Sequence, residues 1–196
     1  MFINPKIAIA EGWVRGINDE KKQLQPNAID FTVDNLYAIK EITFVISEEV
    51  KQMRGGDEMI PTSWRPGSHP RPGNEDTPYW HVQPHTVVDF MSNMYVEIPE
   101  GVACQLIIRS TFNRNGLFLT SGLYDSGFRG HIAGALHNRS GVALIAPGTR
   151  LGQIVFISSD SAGVYAGGYN HEQGTHHTSP QDLDCDGAEA RDNKTR

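Results

Sequence analysis

The sequence predicts an all-β fold, a barrel or sandwich of short strands, and three observations carry that expectation. Glycine and proline are abundant, 20 and 11 of 196 residues, which favours strands joined by tight turns. From Val82 onward, apolar runs follow one another closely: TVVDF, MYVEIP, VACQLIIRS, LFLTSGLYD, GHIAGALHN, VALIAPG and RLGQIVFIS, each bounded by Gly, Pro, Asn or Asp. No internal repeat or coiled-coil heptad competes with that pattern.

Taken in order, MFINPKIAIAEGWVRG holds enough apolar residues for a short helix at most. Residues 24–46, LQPNAIDFTVDNLYAIKEITFVI, alternate β-branched and aromatic residues with turn formers and read as two or three strands. Residues 51–80 carry five of the eleven prolines and little apolar periodicity, so they read as a long surface loop or arm inserted into the domain. After Phe156 the chain turns glycine-rich, and residues 176–196, almost without large apolar side chains, are expected to be disordered. One domain over residues 1–175 accounts for the rest.

Composition excludes several classes. Hydrophobic residues are 38% and charged residues 20% of the chain, and the formal net charge is −6. That balance suits a soluble globular protein and argues against binding a nucleic acid polymer, whose phosphates call for a basic surface. No run approaches the ~18 apolar residues of a membrane helix. Two cysteines, Cys104 in an apolar run and Cys185 in a polar tail, make no disulfide framework. The expected location is cytoplasmic, of a cell or of a host if the gene is viral.

The densest polar cluster is RSTFNR, residues 109–114, at the end of the apolar run QLII. Arg109 with Ser110 and Thr111 can hold phosphate oxygens through charge-assisted and hydroxyl bonds. The same Arg could equally be tied to a structural carboxylate. Gln153 interrupts an apolar strand, and a buried amide either ties down backbone or reaches a ligand. In GLYDSGFRG, Asp125 is the lone acid among glycines 122, 127 and 130. It reads either as a turn former or as a general base activating water. His81 and His85 lack a third ligand for a transition metal, and no P-loop, Cys-x-x-Cys or Gly-x-Ser-x-Gly is present.

Taken together, QPNAIDF (25–31), RSTFNR (109–114), GLYDSGFRG (122–130), PGTRLGQIVF (147–156) and YAGGYNHEQG (165–174) resemble, in order and approximate spacing, the trimeric dUTPase and dCTP deaminase superfamily. The resemblance implies a distorted β-barrel, or jelly roll, assembled as a homotrimer with active sites shared between subunits. It implies a pyrimidine deoxynucleoside triphosphate, dUTP or dCTP, as substrate and Mg²⁺ carried mainly by that triphosphate. Arg109, Ser110, Thr111, Arg114, Gln153, Tyr169 and Gln173 would then bind phosphates, with Arg109 also pairing with Asp125. Phe128 matches the position that stacks on deoxyribose, and Gly122, Leu119 and Ala135 lie in the hairpin that reads the base.

Deaminases of this group use a Glu on the strand after the glycine turn, and here that position is Ala135. Asp125, which matches the water-activating Asp of the diphosphatase branch, is retained. The expected activity is therefore hydrolysis of dUTP to dUMP and pyrophosphate. Two alternatives stay open: a dCTP deaminase, including a bifunctional one, and a non-catalytic nucleotide-binding trimer. QPNAIDF, Arg114 and the tail look more like the deaminase branch, although that tail usually has Lys where this chain has Gly168.

Overall fold

A computed structural model describes residues 1–41, 43–48, 54–63, 77–167 and 170. The elements are α1 (Pro5–Ala10), β1 (Val14–Arg15), α2 (Glu20–Gln23), β2 (Ile29–Val33), β3 (Asn35–Ile39), β4 (Gly56–Glu58), β5 (Thr62–Ser63), β6 (Pro78–Val82), β7 (Val87–Glu97), β8 (Val102–Ile108), α3 (Ser110–Arg114), β9 (Leu117–Thr120), β10 (Arg129–Asn138), β11 (Ala143–Ile145) and β12 (Thr149–Ser158). The all-β expectation holds. Both N-terminal helices are short and locally capped. Asn4 accepts the Lys6 amide ahead of Pro5, and Asp19 accepts the Lys22 amide.

One sheet runs β4-β3-β7-β10-β9, with β1 also on β7; a second is β2-β12-β8 and a third β11-β6-β5. Phe31 of β2 stacks on Phe90 of β7 with ring centroids 5.7 Å apart, so the first two sheets share a core. Ile29, Phe31 and Val33 of β2 are buried in that core, and Asp30 and Thr32 are buried on the strand's other face. Ile29, Leu36, Met94, Ile132, Leu136 and Ile154 fill the same interior, each contributing about 1.5–3 kcal/mol of apolar burial. A Cβ on Gly152 would lie 2.5 Å from the Phe31 ring, so β12 crosses that ring only with glycine there.

Two sequence expectations are corrected. Residues 51–80 are not one surface arm: β4, β5 and the start of β6 lie among them, while 51–53 and 64–76 fall outside the described residues. Trp80 decides the matter, since it is 2% exposed and donates its indole N–H to the Met59 carbonyl at 2.7 Å. Pro78 is tolerated because it opens its strand. TVVDF and MYVEIP form the single strand β7, whose pairing with β10 shifts register between His131 and Ala133. RSTFNR closes into one helical turn after Arg109. Residues 176–196 lie outside the described residues.

Candidate active site

The phosphate-binding candidates gather where β8 meets α3. The Arg109 amide donates to the Leu151 carbonyl, which fixes the strand end against β12. Its guanidinium donates from Nη1 to the Arg150 carbonyl and sits with Nε 3.3 Å from Oδ2 of Asp30. Arg150 Nη1 reaches the same oxygen at 3.1 Å, and Gln153 Nε2 donates to Asp30 Oδ1 at 3.0 Å. Asp30 is 1% exposed, so one buried carboxylate organises two arginines and an amide, leaving a net positive charge. Ser110, Thr111 and Arg114 project from α3 and are exposed. A cleft of about 350 Å³ opens beside Thr111 and Phe112.

Asp30 and Arg150 were missed by sequence reasoning. The available signal was a carboxylate inside an otherwise apolar strand, IDFTV, since such a group must be paired to be buried. The expected pairing of Arg109 with Asp125 does not occur within one chain: Arg109 is tied to Asp30, the structural-carboxylate alternative.

Geometry explains that correction. Asp125 follows Tyr124, which forms an isolated bridge with Cys104 near the start of β8, whereas Arg109 follows its end. Arg109 lies five residue steps on from Cys104 along extended chain, roughly 16 Å. Around Asp125 the turn is firmly built. The Phe128 amide donates to the Asp125 carbonyl, Gly127 donates to Ile98, and Ser126 Oγ donates to Val102. Gly127 has φ +84°, which makes glycine the natural residue there. The Asp125 side chain is exposed and takes no partner among the described residues.

A strap of the chain's own C-terminal segment closes over this turn. The Tyr165 amide donates to the Ser126 carbonyl at 2.6 Å, and the Arg129 amide donates to Asn170 Oδ1 at 2.8 Å. Ser161 is hydrogen-bonded to Ser126. Phe128, 7% exposed, packs edge-on against both Tyr124 and Tyr165. Gly127, Arg129, Val164, Tyr165 and Asn170 line an open cleft of about 490 Å³. Tyr169 and Gln173 lie outside the described residues.

The hairpin residues follow the alternation of β10. Gly134 faces the core, where a Cβ would meet the Phe90 ring at 2.9 Å, so Ala135 faces the opposite side, flanked by Thr120 of β9 and Asp89 of β7. Leu119 pairs with Leu136, and Gly122 is exposed in the loop beyond β9. Tyr124 anchors this region by donating its hydroxyl to the Ala133 carbonyl and accepting the Ala133 amide. Burial pushes both the Tyr124 phenol and the Cys104 thiol well above their ordinary ranges, so neither serves as a nucleophile. Among the described residues no group of three or more His, Cys, Asp or Glu side chains comes together. No described helix is long and apolar enough to cross a membrane.

A family model described as dCTP deaminase-like matches residues 6–159. A dCTP deaminase of Ignicoccus hospitalis is 26% identical over 142 residues, 72% of this chain and 73% of that protein. A probable deoxyuridine 5′-triphosphate nucleotidohydrolase of Halobacterium salinarum is 30% identical over 155 residues, 77% of this chain and 85% of that protein. Among solved structures, the 2′-deoxycytidine 5′-triphosphate deaminase of Agrobacterium tumefaciens aligns with TM-score 0.56 and 13% identity. That alignment covers 79% of this chain and 47% of the other, and it establishes a common fold.

Proposed function

Since the chain belongs to the dCTP deaminase-like family, we propose that it is a pyrimidine deoxynucleoside triphosphate diphosphatase, acting on dUTP and water to give dUMP and pyrophosphate. The observation that carries this reading is the contrast within one hairpin: an exposed, unpartnered carboxylate at Asp125 and a methyl group at Ala135. Proton transfer at the base needs a titratable group where Ala135 stands. Hydrolysis at the α-phosphorus needs only a base for water and charge stabilisation.

Asp125 takes a proton from water as the water oxygen bonds to the α-phosphorus. The bond from that phosphorus to the α,β-bridging oxygen then breaks, and pyrophosphate leaves. Arg109, Ser110, Thr111 and Arg114, with Gln153, Tyr169 and Gln173, hold the phosphate chain. Phe128, Leu119, Gly122 and Ala135 shape the sugar and base site. The exposed donors are hard oxygens, the Asp125 carboxylate at one end of β8 and the Ser110 and Thr111 hydroxyls at the other, which fits Mg²⁺ carried mostly by phosphate and water rather than by a protein cage. Magnesium would supply charge neutralisation on the triphosphate.

Within one chain Asp125 and the Arg109 cluster stand at opposite ends of β8, which supports sites completed between subunits of a homotrimer. A cytoplasmic location suits a nucleotide-pool enzyme. Product analysis after separate incubation with dUTP and dCTP, each with Mg²⁺, tests the function. Pyrophosphate and dUMP are expected from dUTP. Release of ammonia and dUTP from dCTP would establish the deaminase reading, which the retained Arg114 and the deaminase-named relative favour. Binding of both without turnover would leave a nucleotide-binding protein.

A further inference from the structure

Ala135 does not face an apolar wall. It stands directly opposite Asp89 on β7 and Thr120 on β9, Asp89 stands opposite Tyr37 on β3, and Tyr37 opposite Glu58 on β4. Residues directly paired across antiparallel strands project on the same face with Cβ atoms about 5 Å apart. One row across five strands therefore reads Thr120, Ala135, Asp89, Tyr37, Glu58, and the carboxylate nearest to Ala135 comes from the neighbouring strand. The Asp89 side chain is 18% and that of Arg54 31% exposed, and Arg54 Nη2 lies 3.1 Å from Asp89 Oδ1. Arg54 Nε is buried and has no hydrogen-bond partner among the described residues. A buried N–H without an acceptor calls for one, and an arriving ligand can supply it.

We propose that Asp89 and Arg54 form a base-reading pair, in which Asp89 accepts the N3–H of uracil and Arg54 donates to the adjacent carbonyl oxygen. The inference rests on the diphosphatase reading, which places the base beside residue 135. Its chemistry follows from the two side chains: an ionised carboxylate only accepts and a guanidinium only donates. Set side by side, they match a ligand edge with N–H next to C=O, the imide of uracil. A cytosine in the same pose turns its unprotonated N3 toward the carboxylate and its 4-amino hydrogens toward the guanidinium. Both contacts repel, so the pair selects against dCTP as well as for dUTP. Ala135 itself presents only a methyl group beside Asp89 on that row.

The test is the ratio of kcat/KM for dUTP to that for dCTP in the full-length protein and in Asp89→Asn and Arg54→Gln. Thermal melts are run alongside, and binding of the non-hydrolysable α,β-imido analogues of both nucleotides is measured by calorimetry. A fall of tenfold or more in the dUTP:dCTP ratio for Asp89→Asn is expected, because the amide turns a donor toward N3–H. A ratio unchanged in a folded Asp89→Asn protein overturns the pair. If that variant does not fold, Arg54→Gln decides by the same criterion. Should the unaltered protein bind the uracil analogue without hydrolysing dUTP, the diphosphatase reading fails on its own. The base-reading pair then stands or falls on whether Asp89→Asn erases the binding preference.

Discussion

Replacing Asp30 by Ala tests the core of the cluster proposed to bind phosphate. The substitution removes the acceptor shared by Arg109 Nε at 3.3 Å, Arg150 Nη1 at 3.1 Å and Gln153 Nε2 at 3.0 Å. Removing one member of a buried ion pair costs about 3–5 kcal/mol, because the remaining charges stay desolvated. Here the arginine side chains are 29% and 31% exposed, so water relieves part of that penalty and the lower end, about 3 kcal/mol, applies. With a urea slope near 2 kcal/mol/M, the unfolding midpoint should fall by about 1.5 M. Both proteins are unfolded at one fixed concentration, since assembly makes stability concentration-dependent. Turnover, measured where the variant is still folded, should fall by about a hundredfold as Arg109 loses its fixed orientation. A midpoint shift below about 0.5 M, or full activity in the folded variant, would refute the idea that Asp30 holds the cluster in place.

Asp125→Asn should behave in the opposite way. The side chain is exposed and unpartnered, so stability should stay within about 0.5 kcal/mol while dUTP hydrolysis drops about 10²–10⁴-fold; retained turnover removes Asp125 from the role of base. Truncation after Asp160 deletes Ser161, Tyr165 and Asn170 from the strap. Amide exchange at Gly127 and Arg129 should then accelerate and turnover should fall, with the melting temperature lowered by only a few degrees. Unchanged exchange at those amides would show that the turn stands without the strap.

Strand existence was legible because it is a local property. Apolar runs bounded by turn residues marked β7 to β12, and the fold followed from their number. What escaped was set by partners distant in sequence. Nothing near Trp80 announces that its indole reaches Met59, so a proline-rich stretch looked like an arm. Nothing near Asp30 announces Arg150 and Gln153, 120 and 123 residues away. Arg109 and Asp125 were both visible as chemistry-bearing residues. Their separation along β8 was not, because distance depends on the bridge between Cys104 and Tyr124. The opposition of Ala135 and Asp89 was equally hidden, being a matter of register between strands whose turns leave it open.

The placement of Asp125 and Arg109 at the two ends of β8 also bears on inheritance and dosage. On the shared-site reading, a chain with a damaged Asp125 still lends sound phosphate donors to a neighbour, and a chain with a damaged Arg109 still lends a sound base. A mixed population of such chains would recover some working centres that neither population forms alone. Conversely, a single altered copy disables pockets belonging partly to normal chains, so loss of activity would not scale simply with the fraction of altered protein.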